Sequence, residues 1–128
     1  THTDSSAASD VYKRQVPAPA QGALLVTALE SNKNLMSKFS PLNDDETALC
    51  VAQERIFLRE LEGGCTAPIG ALAKMEGDQI HFVGNITQKG GKKQLVFDQY
   101  MPLENAHDIG SIAAKELLSR GAKALLNG

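Results

Sequence analysis

One stretch of this 128-residue chain combines residue types able to do covalent chemistry: Leu61-Glu62-Gly63-Gly64-Cys65-Thr66-Ala67-Pro68-Ile69-Gly70. A helix-forming run meets two glycines, a cysteine and then a proline-bounded extended segment. Gly63 and Gly64 tolerate positive φ angles and close backbone approach, so a helix can stop there and hold Cys65 away from its packed face. A thiol on such a loop can be reached by a ligand. The same residues also suit a helix C-cap followed by a small buried side chain, because unpaired cysteines behave mostly as compact hydrophobes. Local pattern leaves both readings open. Beyond a helix C-terminus the macrodipole opposes formation of the thiolate, which is the nucleophilic form. A covalent bond at Cys65 would therefore draw on an electrophilic partner and on position, not on an acidified thiol.

The other cysteine, Cys50, lies inside a helical pattern between Leu49 and Val51 and reads as structural or partly exposed. Its spacing from Cys65 is not that of a metal site, and His2, His81 and His107 form no motif with either, so no metal is implied. Nothing suggests a secreted disulfide scaffold, although a Cys50–Cys65 bridge stays open on arithmetic. With 42% hydrophobic residues and a net charge of −2, the chain suits one modest soluble domain. It has no run long enough to span a bilayer, no signal-peptide pattern and no basic excess to attract nucleic acid, which makes the cytoplasm the default expectation. Lys89, Lys92 and Lys93 flank Gly90-Gly91 and read as a solvated hairpin tip.

The run Asp45-Glu46-Thr47-Ala48-Leu49 through Ala52-Gln53-Glu54-Arg55, followed by Leu61-Glu62-Gly63-Gly64-Cys65 and Pro68-Ile69-Gly70, resembles the C-terminal domain of the porphobilinogen deaminases, or hydroxymethylbilane synthases, in order and spacing. Upstream, Pro19-Ala20-Gln21-Gly22-Ala23-Leu24 resembles the Gly-Gln-Gly-Ala-Leu hinge of that family. Ala20 replaces its first glycine, and Leu25-Val26-Thr27 replaces the usual continuation. The resemblance extends from about Val16 to the C-terminus and is most specific between Glu46 and Gly70. It implies that Cys65 carries a dipyrromethane cofactor through a thioether, with Gly63 and Gly64 supporting its geometry. Four porphobilinogen units would be condensed on that primer, with loss of ammonia, and released as hydroxymethylbilane. Gln21-Gly22 would line the cleft of the complete enzyme. The family's catalytic aspartate and its substrate-binding arginines and lysines belong to its first two domains. No residue here matches them, so no catalytic residue is assigned. The resemblance thus implies that these 128 residues alone are inactive and that Cys65 is unmodified in them. The complete enzyme would be a monomer.

Around this motif the chain divides into three expected parts. Residues 1–15 are polar, lack hydrophobic periodicity and look like translated vector or adapter sequence, so disorder is expected. Residues 16–42 read as a hinge remnant. The apolar run from Ala23 to Leu29 forms a short strand, through which the fragment could self-associate, and residues 31–39 form a helix with Leu35, Met36 and Phe39 on one side. Residues 43–128 form the cofactor-attachment domain. Asn43 caps a helix over 44–61 with Glu46 in a capping-box position. Leu49, Ala52, Ile56 and Phe57 supply its apolar stripe, and Gln53, Glu54, Arg55 and Arg59 its solvated positions. The period then changes to two: residues 69–75, 79–88 and 93–100 predict three strands joined by hairpin turns. Ile80, Phe82, Gly84 and Ile86 share one face opposite Leu95 and Phe97, with Gly84 as a bulge or close-packing point. A helix over 103–120 follows, with Ala106, Ile109, Ile112, Ala113 and Leu117 turned inward, then a last turn over 122–126.

The expected fold class is α+β, a three-stranded antiparallel sheet with helices packed on one face. A competing function is a stand-alone binding or interaction module in which Cys65 only packs. A thiol redox protein is disfavoured, since Cys65 has no neighbouring cysteine and no helix N-terminus to activate it.

Overall fold

The structure, a computed structural model, describes residues 16–61 and 68–127. In chain order these form helix α1 (Lys33–Phe39), a 3-10 turn (Ser40–Leu42), helix α2 (Asp45–Leu61), strands β1 (Ile69–Glu76), β2 (Gln79–Thr87) and β3 (Gln94–Pro102), a second 3-10 turn (Leu103–Asp108), helix α3 (Ile109–Ser119) and helix α4 (Ala122–Asn127). The sheet is antiparallel in the order β1-β2-β3. This is the α+β class expected, although the leader 1–15 lies outside the described residues.

Alternation along β2 sets the core. Ile80, Phe82 and Ile86 are fully buried, and the register places Gly84 opposite Phe97 and Ile86 opposite Leu95. Phe82 takes Phe57 of α2 edge-on at 5.4 Å between ring centroids and Phe97 edge-on at 6.2 Å. Gly84 is a close-packing point: a Cβ there would lie 2.6 Å from the tip of the Phe57 ring. Gly77 turns the first hairpin at φ +66°, and Gly90 and Gly91 turn the second at +97° and +76°, conformations that cost glycine nothing.

Several expectations shift. Helix α2 is capped by Asp44, whose Oδ1 accepts from the Thr47 N–H at 3.1 Å, while Asn43 donates instead to Asp45. Phe57 is buried as predicted, but the rest of the buried face is Cys50, Gln53, Glu54 and Leu61, while Leu49 and Ile56 are only half-buried. Ala52 is exposed, and Gln53 and Glu54 are not solvated: their side-chain oxygens accept buried backbone N–H groups, so the polar groups satisfy one another without water. The helix predicted over 103–120 begins as a 3-10 turn over Leu103–Asp108, and at the start of the α-helix that follows, the Gly110 N–H, without an intrahelical partner there, donates to Gln53 Oε1 at 3.0 Å. Ile112, expected inward, is 40% exposed. Residues 23–29 form no strand; they are irregular and pair with neither edge of the sheet, with Leu24 99% and Leu25 74% exposed. Helix α1 starts at Lys33, two residues later than predicted, under an Asn32 cap, and contains no fully buried residue.

Candidate functional site

Cys65, Gly63 and Gly64 lie outside the described residues, but the residues that flank 62–67 are described. Helix α2 is described as far as Leu61, 1% exposed, and beyond residues 62–67 Pro68 leads into edge strand β1 at Ile69. Three hydrogen bonds fix the exit. The Pro68 carbonyl accepts from the Thr87 N–H at 3.0 Å, the Gly70 N–H donates to Asn85 Oδ1 at 3.0 Å, and the Ala71 N–H donates to the Pro17 carbonyl at 2.9 Å. The described positions on either side of residues 62–67 are thus held, Leu61 in the core and Pro68–Gly70 on the sheet. Register puts the β2–β3 turn with Lys89, Lys92 and Lys93 at this same end of the sheet, where the lysines are exposed, as expected of a hairpin tip.

The segment before α1 runs beside this anchor. Gln21 and Gly22 join Cys50, Glu54 and Lys74 in lining a shallow hollow of about 390 Å³ between the segment, α2 and β1. Gln21 Oε1 accepts from the Ala18 N–H at 3.2 Å, closing a local turn. Cys50 is a free thiol, 8% exposed. Burial, reinforced by the negative charges of Glu54, Glu46 and Asp44, pushes its pKa above the usual thiol value, so it stays protonated and poorly nucleophilic.

The helix-free face of the sheet holds a cluster that sequence reasoning missed. His81 Nε2 lies 2.6 Å from Asp98 Oδ1, its Nδ1 lies 3.8 Å from Glu76 Oε1, and its ring stacks on Tyr100 at 4.2 Å. A hydrogen bond to Glu76, and that carboxylate's charge, push the Tyr100 hydroxyl pKa up. With Leu72, Val83, Val96 and Val16 these residues line a concave surface of about 590 Å³. The signal was available: alternation that buries Phe82 sends His81 and Val83 to the other face, and the hairpin register sets His81 opposite Tyr100. Among the described residues, no three His, Cys, Asp or Glu side chains converge as a metal site would require, and no helix is long and apolar enough to cross a membrane.

Comparison with known proteins converges on one family. The sequence model described as "Porphobilinogen deaminase, C-terminal domain" matches residues 48–119, a span that contains the Leu61–Gly70 motif. Curated porphobilinogen deaminases from Listeria welshimeri and Stenotrophomonas maltophilia are each 38% identical, over 111 and 112 residues, covering 87% and 88% of this chain but 35% and 37% of their own lengths. The Maridesulfovibrio salexigens porphobilinogen deaminase is 37% identical over 112 residues, or 88% of this chain and 36% of its own. The chain spans about a third of the length of the curated relatives it matches.

Proposed function

Because the chain belongs to the porphobilinogen deaminase family, as its C-terminal domain, we propose that it serves tetrapyrrole synthesis as the carrier of the enzyme's dipyrromethane primer, held by a thioether on Cys65. One observation carries the reading: the family match runs through Leu-Glu-Gly-Gly-Cys, and of the two cysteines in the sequence Cys50 is shut into the core as a free thiol. A thioether anchor needs one sulfur and no second ligand, so the donor set fits. When bound, the group supplies the pyrrole position to which porphobilinogen units are added head to tail, four of them, up to release of hydroxymethylbilane.

The chain's own residues then have positional work. Leu61 and Pro68–Gly70 are held by the core and the sheet, and on this reading they keep a group tethered between them near one place. Gly63 and Gly64, on this reading, suit the position before the thiol because glycine tolerates conformations closed to other residues. Acid–base chemistry and recognition of substrate carboxylates belong, on this reading, to the rest of the enzyme, a cytoplasmic transferase acting on porphobilinogen. The 128 residues by themselves do not polymerise it.

Intact mass spectrometry tests the assignment. The isolated chain has the mass of its sequence, whereas the complete enzyme carries the increment of one dipyrromethane, which Cys65→Ser abolishes together with turnover. Retention of the increment in that variant, or robust hydroxymethylbilane production by the 128-residue chain, would overturn it.

A further inference from the structure

Glu54 stands in α2, 5% exposed, with both carboxylate oxygens in use. Oε1 accepts from the Ala73 N–H of β1 at 2.9 Å, and Oε2 accepts from the Ala20 N–H at 2.7 Å. Among the described residues no Lys, Arg or His pairs with it. A carboxylate buried without a counter-charge is costly, and it persists where the hydrogen bonds it accepts have been fixed in place to receive it. One of those donors is held in an unusual way. Ala20 has φ +61°, the only non-glycine residue with positive φ among those described. Alanine adopts that conformation at a cost, and with it the Ala20 N–H meets Oε2.

Two further contacts tie the same stretch to the strand edge. The Pro17 carbonyl accepts from the Ala71 N–H at 2.9 Å, adding one rung outside β1. Val16 passes so close to Gly70 that a Cβ on Gly70 would lie 2.6 Å from the Val16 carbonyl oxygen and 2.7 Å from Asn85 Oδ1. The grip ends at the turn: Leu24, Leu25 and Val26 are 99%, 74% and 57% exposed.

We infer that Glu54 is a positioning residue that docks the segment 16–22 onto the domain, locking it in register against the outer edge of β1 while Gly70 leaves the room for it to pass. The segment that leads into the domain is thereby fixed relative to α2 and β1, the two elements between which residues 62–67 run. The inference stands on the described residues alone and holds whatever Cys65 carries.

Amide hydrogen exchange by NMR on the whole 128-residue chain tests it. In the unaltered protein, the Ala20 and Ala71 amides exchange at least tenfold more slowly than those of Leu24 and Val26; equal rates would refute docking without any variant. Glu54→Gln keeps the shape but turns one acceptor into a donor. Ala73 is held in a strand, so the amide oxygen stays with it and the segment yields. Exchange at Ala20 and Ala71 then rises at least tenfold, while Phe82 and Phe97 change less than twofold. A side chain that merely filled space would leave Gln silent, and one that merely held the fold together would move all four amides alike; either result overturns the inference. Gly70→Ala reaches the segment without touching Glu54 and releases the same two amides, and if it leaves them protected the docking geometry is wrong.

Discussion

Gly84→Ala places a methyl group where the structure leaves no room. The new Cβ would lie 2.6 Å from Phe57 Cζ and 2.9 Å from each Cε, where an ordinary contact is close to 3.4 Å or longer. The ring has little retreat: Phe57 is fully buried and already edge-packed against Phe82 at 5.4 Å. Overpacking a close-packed interior costs about 1–3 kcal/mol. For a domain of this size 1 kcal/mol shifts Tm by roughly 3–6 °C, so a cost of about 2 kcal/mol predicts a fall of roughly 6–12 °C by circular dichroism, with the urea m-value unchanged. The cause is then checked by a double-mutant cycle. Phe57→Leu, which alone costs about 1–2 kcal/mol in lost burial and cavity, removes the ring atoms that the methyl strikes. In its presence Gly84→Ala is expected to cost less than half as much, a coupling of about 1 kcal/mol or more. Additive costs, or a Gly84→Ala variant within about 0.5 kcal/mol of the parent, would refute the assignment of Gly84 as the socket for Phe57.

Gln53→Leu keeps the volume of a buried side chain but strands the Gly110 N–H that Gln53 accepts at 3.0 Å. A buried unpaired donor costs about 1–3 kcal/mol, measurable as a lower urea midpoint; no loss would mean that water reaches Gly110. Cys50, with its pKa raised by burial, stays protonated in the folded protein at pH values where the unfolded thiol ionises. Its stabilising share is therefore full below the ordinary thiol pKa and is lost as pH rises through the folded value. Urea titrations of the parent and of Cys50→Ala are expected to converge as pH increases from neutral to alkaline, and a gap that widens would reverse the sign. Iodoacetamide is likewise expected to label Cys50 promptly only in urea.

The parts of the fold that could be read from the chain are those fixed within a short window. Two-residue alternation at Ile80, Phe82, Gly84 and Ile86 fixed the inner face of β2, and Gly77 and Gly90-Gly91 fixed both hairpins, so strand pairing followed and Leu95 and Phe97 supply the facing pairs as expected. Residues 23–29 were misread for the same reason. Their apolar composition describes a strand, yet a strand also needs a partner edge, and composition does not supply one. The open-face cluster of His81, Asp98 and Tyr100 lay in plain alternation, but three residues 17 and 19 positions apart become neighbours only after register is applied.

Gln53 and Glu54 show where such reading stops. Periodicity assigns a helix face by the preference of side chains for water, and on that scale both belong outside. Their positions are decided instead by particular donors, Gly110 at a sequence separation of 57 and Ala73 and Ala20 at 19 and 34, backbone N–H groups of which the first two are buried and the third part-buried. No local window contains that information. Both residues belong to the motif stretch that carries the family resemblance, Ala52-Gln53-Glu54-Arg55, whereas local pattern marks Cys65 as a reachable thiol, its cofactor role follows only from that resemblance, and the residue lies outside the described ones. If the polar pair had been chosen for solubility, Gln and Glu could exchange places on α2 at little cost. On the geometry here the exchange would bring a carboxylate to Gly110 and an amide to the Ala20 and Ala73 donors, leaving one of those two N–H groups facing another donor.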